Sequence, residues 1–210
     1  MDLDRHVNDT RGRTDRALII FVRNPELGKV KTRLAAGIGD ESALKVYRRL
    51  LEKTRETALG VDAARYLFYA DYVVRDDAFD NQAFRKYAQS SGDLGVRMEY
   101  AFSIPIKAGI KSAVIIGSDC WDLNSMHIEQ AFEALKSNDF VLGPASDGGY
   151  YLLGMKKWER FLFPDMEWST SGVRAESLRR IEEKGKSVKL LEELTDIDNK
   201  EDLDKARIDY

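Results

Sequence analysis

The sequence predicts an α/β fold in which helices flank a mostly parallel central sheet. Two short apolar runs, 17–22 and 113–117, are rich in β-branched residues, which is typical of strands buried on both faces. Helical segments alternate with the strands, and apolar residues recur at helical spacing over 124–136. Strands that alternate with helices of this length indicate parallel β-α-β connections within a single α/β domain.

The chain begins with a polar segment before the first strand. Residues 1–16 are rich in Asp and Arg and have almost no apolar side chains, so we expect a disordered tail. Strand 17–22 leads into a loop over 23–33. Apolar side chains at helical spacing then predict a helix over 41–59, and Gly60 is suited to end it.

The rest of the chain continues the alternation of strands and helices. Asp93 can cap a helix that carries apolar residues at positions 94, 98 and 102, and Pro105 should kink or split this helix. The other predicted strands are 64–70, 140–143, 150–154 and 187–191, and the other predicted helices are 78–88, 173–184 and 200–208. No linker divides the chain, so we expect one domain over 17–210.

Composition excludes several classes of protein. The 210 residues include 33 Lys and Arg against 36 Asp and Glu, which gives a net charge of −3 and argues against a nucleic-acid partner. The one cysteine, Cys120, excludes an internal disulfide framework and a multi-cysteine zinc site. The longest apolar run is far too short for a membrane span, and no secretory signal pattern opens the chain. We therefore expect a soluble cytoplasmic protein.

The loop after the first strand concentrates positive charge. In α/β sheets, ligands bind beyond the carboxyl ends of the strands, which directs attention to such loops. Arg23, Lys29, Lys31 and Arg33 surround Gly28 here, and cations around a glycine suit phosphate oxygens. The spacing is not that of a Walker A loop. A solvated basic loop is the alternative interpretation.

The strand over 113–117 is followed by acidic residues. A carboxylate at the end of an apolar strand needs a partner, because burying an unpaired charge is costly. For Asp119, a Mg²⁺ or Mn²⁺ ion bridging to a diphosphate would supply that partner. The alternative is that Asp119 or Asp122 caps the following helix, which fits Asp122 better. Cys120 is expected to be a small packing residue.

Three further segments allow two interpretations each. Asp147-Gly148-Gly149 is typical of a hairpin turn, or its glycines let a ligand approach with Asp147 facing a sugar or metal. Ser169 or Thr170 can cap a helix or belong to a binding segment. Asp196 and Asp198 lie on one side of an extended segment, which is typical of a solvated loop or a helix cap.

Six segments together resemble a known family. In chain order they are Phe21 to Leu34 with its Lys31-Thr32-Arg33, Asp93-Leu94-Gly95-x-Arg97-Met98, Gly117-Ser118-Asp119, Gly143 to Gly154, Trp168-Ser169-Thr170, and Asp196-x-Asp198-x-x-x-Asp202-Leu203. Their order resembles the bacterial glycosyltransferase-like proteins called radical-SAM/selenodomain-associated transferase 1. These proteins are similar to phospholactate and molybdenum cofactor guanylyltransferases.

The resemblance implies a GT-A fold, that of nucleotide-diphospho-sugar transferases, and a nucleoside phosphate bound with Mg²⁺ or Mn²⁺. It implies nucleotide or phosphate contacts from Arg23, Gly28, Lys31, Thr32, Arg33, Asp93 and Arg97. It implies Asp119 and Asp198 as metal ligands, with Asp196 as the alternative to Asp198. It implies a substrate pocket lined by Gly148, Gly149, Tyr150, Trp168 and Ser169, and catalytic roles for Asp119, Asp147 and Lys31. The sequence departs from the family at Trp121, where proline is usual, and at Val96, where an acidic residue is common.

Three functions follow as alternatives. The first is glycosyl transfer from a nucleotide-diphospho-sugar to an acceptor. The second is nucleotidyl transfer, in which a phosphorylated acceptor attacks a nucleoside triphosphate and pyrophosphate leaves; the Lys-Thr-Arg-Leu segment shared with guanylyltransferases favours it. The third is a nucleotide-binding partner protein without catalysis, since a fold does not by itself prove an activity.

Overall fold

The two apolar runs predicted as buried strands pair side by side in a seven-stranded sheet in the computed structural model, which describes residues 14–210. The strands are β1 (Arg16–Val22), β2 (Ala64–Tyr69), β3 (Phe84–Ala88), β4 (Ser112–Ile116), β5 (Phe140–Pro144), β6 (Tyr150–Met155) and β7 (Val188–Leu190). The helices are α1 (Thr32–Ile38), α2 (Asp40–Leu59), α3 (Leu94–Lys107), α4 (Ser125–Ser137), α5 (Val173–Glu183) and α6 (Lys200–Ala206). A 3₁₀ turn covers Arg160–Leu162.

The strand order is β3-β2-β1-β4-β6-β5-β7. The neighbouring pairs are parallel, except that β6 runs antiparallel to both β4 and β5. The carboxyl ends of β1, β2 and β4 and the amino end of β6 therefore lie at one edge. The predicted α/β fold with a mostly parallel sheet is confirmed.

The core lies on both faces of the sheet. In β1, Leu18 and Ile20 pack into one cluster with residues of α4, while Ala17 and Ile19 pack into the other with residues of α3. This alternation confirms that β1 is buried on both faces, as its continuous apolar run predicts. A third cluster joins α1, α2 and α6, and it includes the buried Tyr47.

The prediction of a helix over 78–88 is wrong. The segment begins with turns and ends as β3, which pairs in parallel with β2. Asp77 Oδ1 accepts a hydrogen bond from the backbone N–H of Phe79, and Asp80 Oδ1 accepts one from Gln82. Such side-chain bonds to nearby backbone favour turns over a helix.

The boundaries near the amino terminus also differ from expectation. Of the predicted tail 1–16, residues 1–13 lie outside the described residues, but Arg16 already belongs to β1. Its guanidinium lies 4.0 Å from the centre of the Phe132 ring and pairs with Glu129 at 2.6 Å, which holds the start of the strand. Thr32 and Arg33, predicted in the loop, begin α1, which is too short to give a periodic signal.

Pro105 does not split its helix. It lies in the last turn of α3, which continues to Lys107. Among residues 14–210, no helix combines the length and the apolar character that a membrane crossing requires.

Candidate active site

A cavity of about 280 Å³ opens at the edge where β1, β2 and β4 end. Its walls are largely apolar and include Phe21, Met98 and Leu153. The charged and amide or hydroxyl groups that line it are those of Arg23, Gln89, Arg97, Ser118 and Asp119, with the phenols of Tyr150 and Tyr151. A concave, mostly apolar pocket with a few convergent polar groups is the usual form of a small-molecule site.

A buried tyrosine fixes the two chain segments at the mouth of this cavity. The Tyr47 hydroxyl oxygen accepts a hydrogen bond from the backbone N–H of Arg23 at 2.7 Å, and it lies 3.2 Å from the Arg23 carbonyl oxygen, to which it donates. It also lies 3.3 Å from Oγ of Ser118. Burial raises the pKa of Tyr47, so the hydroxyl keeps its proton. Tyr47 therefore ties the end of β1 to the end of β4.

The segment after β7, residues 191–198, runs along the same edge towards Asp119. The backbone N–H of Ile197 donates to the carbonyl oxygen of Asp119 at 2.9 Å. Cys120 and Asp196 form an isolated antiparallel bridge. These contacts bring the acidic residues of a distant part of the chain beside the end of β4.

One ammonium group joins two of these carboxylates. Lys31 Nζ lies 3.0 Å from Oδ1 of Asp119 and 3.5 Å from Oδ1 of Asp198. The Lys31 side chain is 6% exposed, and its buried Nζ has no contact with hydrogen-bond geometry. Arg33 binds the other oxygen of Asp198 at 2.9 Å. Lys31 is therefore paired with both carboxylates by charge, and it does not itself line the cavity.

A third carboxyl in the cluster has a perturbed pKa. The pKa of Asp196 is raised to about 7, first because burial disfavours its charged form and then because of the charge of Asp119. Lys31 lowers it, while Asp198 and Asp147 raise it. A bound cation would favour the charged form of this carboxyl.

The donor set fits a hard divalent cation. Asp119 and Asp198 offer carboxylate oxygens, which Mg²⁺ and Mn²⁺ prefer, and both already face one positive charge. Within residues 14–210, no group of three or more His, Cys, Asp or Glu side chains is arranged to hold a metal ion. Mg²⁺ is commonly held by one or two carboxylates together with water and substrate phosphates. The fit is therefore to a metal that binds together with a phosphate group.

The family model described as "Uncharacterized protein conserved in bacteria (DUF2064)" matches residues 54–170. The chain belongs to this DUF2064 family. The match includes Asp119 and the turn of Asp147, but not the loop 23–33 or the segment 191–198. None of the curated proteins matches the chain.

The fold is that of nucleotide-diphospho-sugar transferase-like structures. A crystal structure from Desulfovibrio desulfuricans G20, provisionally named a nucleotide-diphospho-sugar transferase, is 27% identical with a TM-score of 0.82, covering 89% of this chain and 83% of that chain. A CMP:2-keto-3-deoxy-manno-octonic acid synthetase in complex with CTP is 12% identical with a TM-score of 0.53, covering 91% and 96%. Rv0371c from Mycobacterium tuberculosis H37Rv, in complex with manganese, is 13% identical with a TM-score of 0.54, covering 92% and 97%. The last two likenesses show a shared fold alone.

The basic loop of the DUF2064 chain does not present its cations as one group. Lys29 pairs with Glu26 at 2.6 Å, and Lys31 and Arg33 are paired with carboxylates. Arg23 is the loop cation that lines the cavity. The four cations of this loop, which lie close together in the sequence, therefore have separate partners in the structure.

Two other residues of this loop have local structural roles. Gly28 has a φ of +72°, which suits the turn it occupies. Thr32 is the first residue of α1 and is exposed. Neither lines the cavity, and their predicted contact with a nucleotide stays a prediction.

Asp93 and Arg97 have different roles. Asp93 Oδ1 accepts a hydrogen bond from the backbone N–H of Val96 at 2.9 Å, which confirms the predicted helix cap. Arg97 lines the cavity, and its Nε donates to the carbonyl oxygen of Gly92 at 2.9 Å. Arg97 is therefore held at the cavity wall beside the start of α3.

The turn between β5 and β6 forms as predicted. Asp147 Oδ1 accepts a hydrogen bond from the backbone N–H of Gly149 at 2.8 Å, and Gly148 has a φ of +90°. Of the pocket residues expected here, Tyr150 lines the cavity, whereas Asp147, Gly148 and Gly149 do not. Asp147 still acts on the acidic cluster, because its charge raises the pKa of Asp196.

Trp168 packs on the first turn of α3. A β-carbon on Gly95 would lie 2.5 Å from Nε1 of Trp168, and this buried nitrogen has no hydrogen-bond partner. Ser169 is exposed, with a φ of +63°. Neither residue lines the cavity, although α3 supplies part of its wall.

For two segments, the interpretation as a helix cap is wrong. Gly172, not Ser169 or Thr170, is the cap residue of α5, because Thr170 Oγ1 donates back to the carbonyl oxygen of Glu167 at 2.9 Å. Asn124, not Asp122, caps α4. Asp122 is exposed and does not line the cavity.

Cys120 is a packing residue, as expected. It is 7% exposed and belongs to the core cluster beside α4. Burial raises the pKa of its thiol to about 12, so it is not ionised near neutral pH and is not suited to act as a nucleophile.

Two residues that shape the site are not predicted from the sequence. Gln89 lines the cavity, and its Nε2 donates to the carbonyl oxygen of Phe68 at 3.3 Å. Tyr47 lies within the helix predicted over 41–59, and the partners of its hydroxyl lie on other elements. No local sequence pattern marks either residue as functional.

Proposed function

We propose that this chain is a metal-dependent transferase that uses a nucleotide-activated donor and moves a glycosyl group from a nucleotide-diphospho-sugar to an acceptor. One observation carries the proposal. Asp119 lies three residues after β4 at the wall of a mostly apolar cavity and shares the ammonium of Lys31 with Asp198. A pocket for a nucleoside thus adjoins a paired carboxylate site for a cation, which is the combination that a nucleoside diphosphate requires.

Each charged group has a role in this proposal. The apolar walls hold the nucleoside, and Arg23 and Arg97 face its diphosphate from the cavity wall. Asp119 and Asp198 would hold Mg²⁺ or Mn²⁺, and the ion would neutralise charge on the departing diphosphate. Lys31, whose ammonium lies between Asp119 and Asp198 without hydrogen-bond geometry, would donate to the phosphate oxygens.

Asp147 is the proposed base for the acceptor. Its turn lies at the same sheet edge, and its charge is felt at Asp196. The acceptor oxygen forms a bond to the anomeric carbon of the sugar, and the bond from that carbon to the phosphate oxygen breaks. The nucleoside diphosphate leaves with the electron pair, and the Asp147 carboxylate takes the proton of the acceptor hydroxyl.

The name given to the Desulfovibrio relative supports this donor class. The likeness of the motifs to the radical-SAM/selenodomain-associated transferases supports it too. Lys31 and Arg33 are paired with carboxylates, whereas Arg23 and Arg97 are the cations at the cavity wall.

Nucleotidyl transfer is the second candidate, and the position of Lys31 beside Asp119 favours it. Lys31 and Arg33 would hold the departing pyrophosphate while a phosphorylated acceptor attacks the α-phosphate. The shared fold with a CTP-bound synthetase is compatible with this reaction. The two candidates differ in the donor, so donor binding separates them.

The test is calorimetric titration of the purified protein with nucleotide-diphospho-sugars and with nucleoside triphosphates, each with and without Mn²⁺. We expect one diphospho-sugar to bind with a strict requirement for Mn²⁺. Tighter binding of a triphosphate would shift the assignment to nucleotidyl transfer. Failure of both classes to bind would overturn the proposal, and metal-independent binding without turnover would indicate a non-catalytic nucleotide-binding protein.

Asp119→Asn is the matched variant for this test. We expect it to abolish Mn²⁺-dependent donor binding, a loss of at least about 100-fold, while the circular dichroism spectrum is unchanged. Asp122→Asn is the control, since Asp122 is an exposed carboxylate three positions along that does not line the cavity. Wild-type metal dependence in a folded Asp119→Asn protein would contradict the metal assignment.

A further inference from the structure

Lys31 occupies an unusual position for a lysine. Its side chain is 6% exposed, and its ammonium lies 3.0 Å from Asp119 and 3.5 Å from Asp198. Its backbone has φ 50° and ψ 44°, the left-handed conformation that residues with a side chain rarely adopt. A conformation of this kind persists only where surrounding contacts hold it. The fold therefore keeps this one ammonium between the two carboxylates.

A divalent cation bound by both Asp119 and Asp198 would need the position that the Lys31 ammonium occupies. The ammonium and the metal ion carry charge of the same sign, so they repel each other at this separation. Lys31 thus supplies a positive charge that balances the carboxylates when no metal is bound. Its long, flexible stem allows the head group to move a short distance without a change in the backbone.

We propose that Lys31 is a resident counter-ion that makes metal binding depend on the donor. Without a nucleotide, Lys31 stays between Asp119 and Asp198 and weakens their affinity for Mg²⁺ or Mn²⁺. When a diphosphate binds in the cavity, its oxygens take over the ammonium, whose ion pairs with Asp119 and Asp198 lack hydrogen-bond geometry. The two carboxylates are then free for the cation.

The proposal rests on the proposed function, because it names the order in which that site fills. It gives Lys31 two partners of the same charge, the carboxylates and then the phosphates. By thermodynamic linkage, a nucleotide that draws Lys31 away raises the affinity for the metal, and the metal raises the affinity for the nucleotide by the same factor.

The test measures Mn²⁺ binding to the full-length protein in the absence of nucleotide, by the loss of the electron paramagnetic resonance signal of free Mn²⁺. We expect Lys31→Met to bind Mn²⁺ at least ten-fold more tightly than the wild type. Lys29→Met is the control, because it removes the same charge from the same loop at an exposed side chain paired with Glu26. It should bind Mn²⁺ as the wild type does.

Further variants test whether the gain in Mn²⁺ affinity arises from the lost charge and requires Asp119. Lys31→Gln also removes the charge but keeps a polar group beside the carboxylates, and it should show the same gain. Asp119→Asn added to either variant should remove the gain. If folded Lys31→Met and Lys31→Gln proteins bind Mn²⁺ no more tightly than the wild type, the inference is wrong.

The two possible failures are distinguishable. The Mn²⁺ titration contains no donor, so its result does not depend on whether any nucleotide is turned over. A wild-type protein that binds a diphospho-sugar with Mn²⁺ but shows no gain in the Lys31 variants would keep the proposed function and overturn this inference. A gain in the Lys31 variants, with no nucleotide bound by the wild type or by the variants, would overturn the proposed function and the dependence on the donor, and would leave Lys31 as a competitor of the metal ion alone.

Discussion

Gly148 is the residue at which the turn after β5 meets the segment that leads to α5. A β-carbon on Gly148 would lie 2.3 Å from the carbonyl oxygen of Ser171, and the φ of Gly148 is +90°. Its own carbonyl oxygen accepts a hydrogen bond from the backbone N–H of Arg174 at 3.0 Å. The turn that carries Asp147 can approach this segment only because position 148 has no side chain.

We expect Gly148→Ala to lower the free energy of unfolding by at least about 2 kcal/mol, because backbone strain and steric overlap act together. Urea denaturation followed by circular dichroism measures the change. Gly109→Ala is the control, since Gly109 has a φ of +91° but no atom within 4 Å of the added β-carbon. It should lose only about 1 kcal/mol, and equal losses in both variants would contradict the steric argument.

Residues of the site differ in how far the sequence predicts them. Arg23 directly follows β1 and Asp119 lies three residues after β4, so the rule about strand ends predicts both at the cavity. The cluster of Lys31 with Asp198 joins parts of the chain that no local pattern relates. The perturbed pKa of Asp196 depends on burial by that same long-range contact, so the sequence could not predict it.

At the scale of elements, the start of α4 shows a reciprocal cap. Asn124 Oδ1 accepts hydrogen bonds from the backbone N–H groups of Met126 at 2.9 Å and His127 at 3.3 Å. The His127 ring accepts one from the backbone N–H of Asn124 at 3.2 Å, and its Nε2 lies 2.5 Å from Glu192. The cap therefore also ties α4 to the segment 191–198.

We expect Asn124→Ala to lower the free energy of unfolding by about 1 kcal/mol, because two helix N–H groups lose their acceptor. Met126→Ala is the matched control in the same turn, since Met126 is 66% exposed and alanine favours a helix. Urea denaturation compares the two variants. A loss for Met126→Ala as large as that for Asn124→Ala would show that the cap is not the cause.

The elements best predicted from sequence are those with a strong period. The residues of β1, β4 and α4 are predicted to within a few positions, because apolar runs and helical spacing are visible locally. The strand β3 was mistaken for a helix, since its pairing with β2 decides its conformation and two aspartates form turns before it. Only its neighbours in the sheet distinguish it.

At the scale of the whole molecule, the proposed donor should stabilise the fold by binding only to the folded state. With donor and Mn²⁺ at 100 times the dissociation constant, the stabilisation is about 2.7 kcal/mol, which raises Tm by roughly 5 to 10 °C for a domain of this size. Differential scanning calorimetry measures the shift for each diphospho-sugar. The Asp119→Asn protein should show none, and an equal shift without Mn²⁺ would contradict metal dependence.

The fold class follows from the sequence, whereas the strand order does not. The turn at 147–149 predicts that β5 and β6 are adjacent, but nothing local indicates that β6 lies between β4 and β5. That placement brings Tyr150 to the same edge as Asp119. The cavity wall therefore depends on a tertiary arrangement that the alternation of strands and helices leaves open.

The segment 191–198 is synthesised after all of the residues that line the cavity. Every residue that lines the cavity precedes position 154, and the parts of a chain nearest the amino terminus leave the ribosome first. The residues that line the cavity are therefore all synthesised before Ile197, whose backbone contacts Asp119. Asp196 and Asp198 belong to the same late segment, so two of the three carboxylates of the acidic cluster can join the site only after every cavity residue has been made.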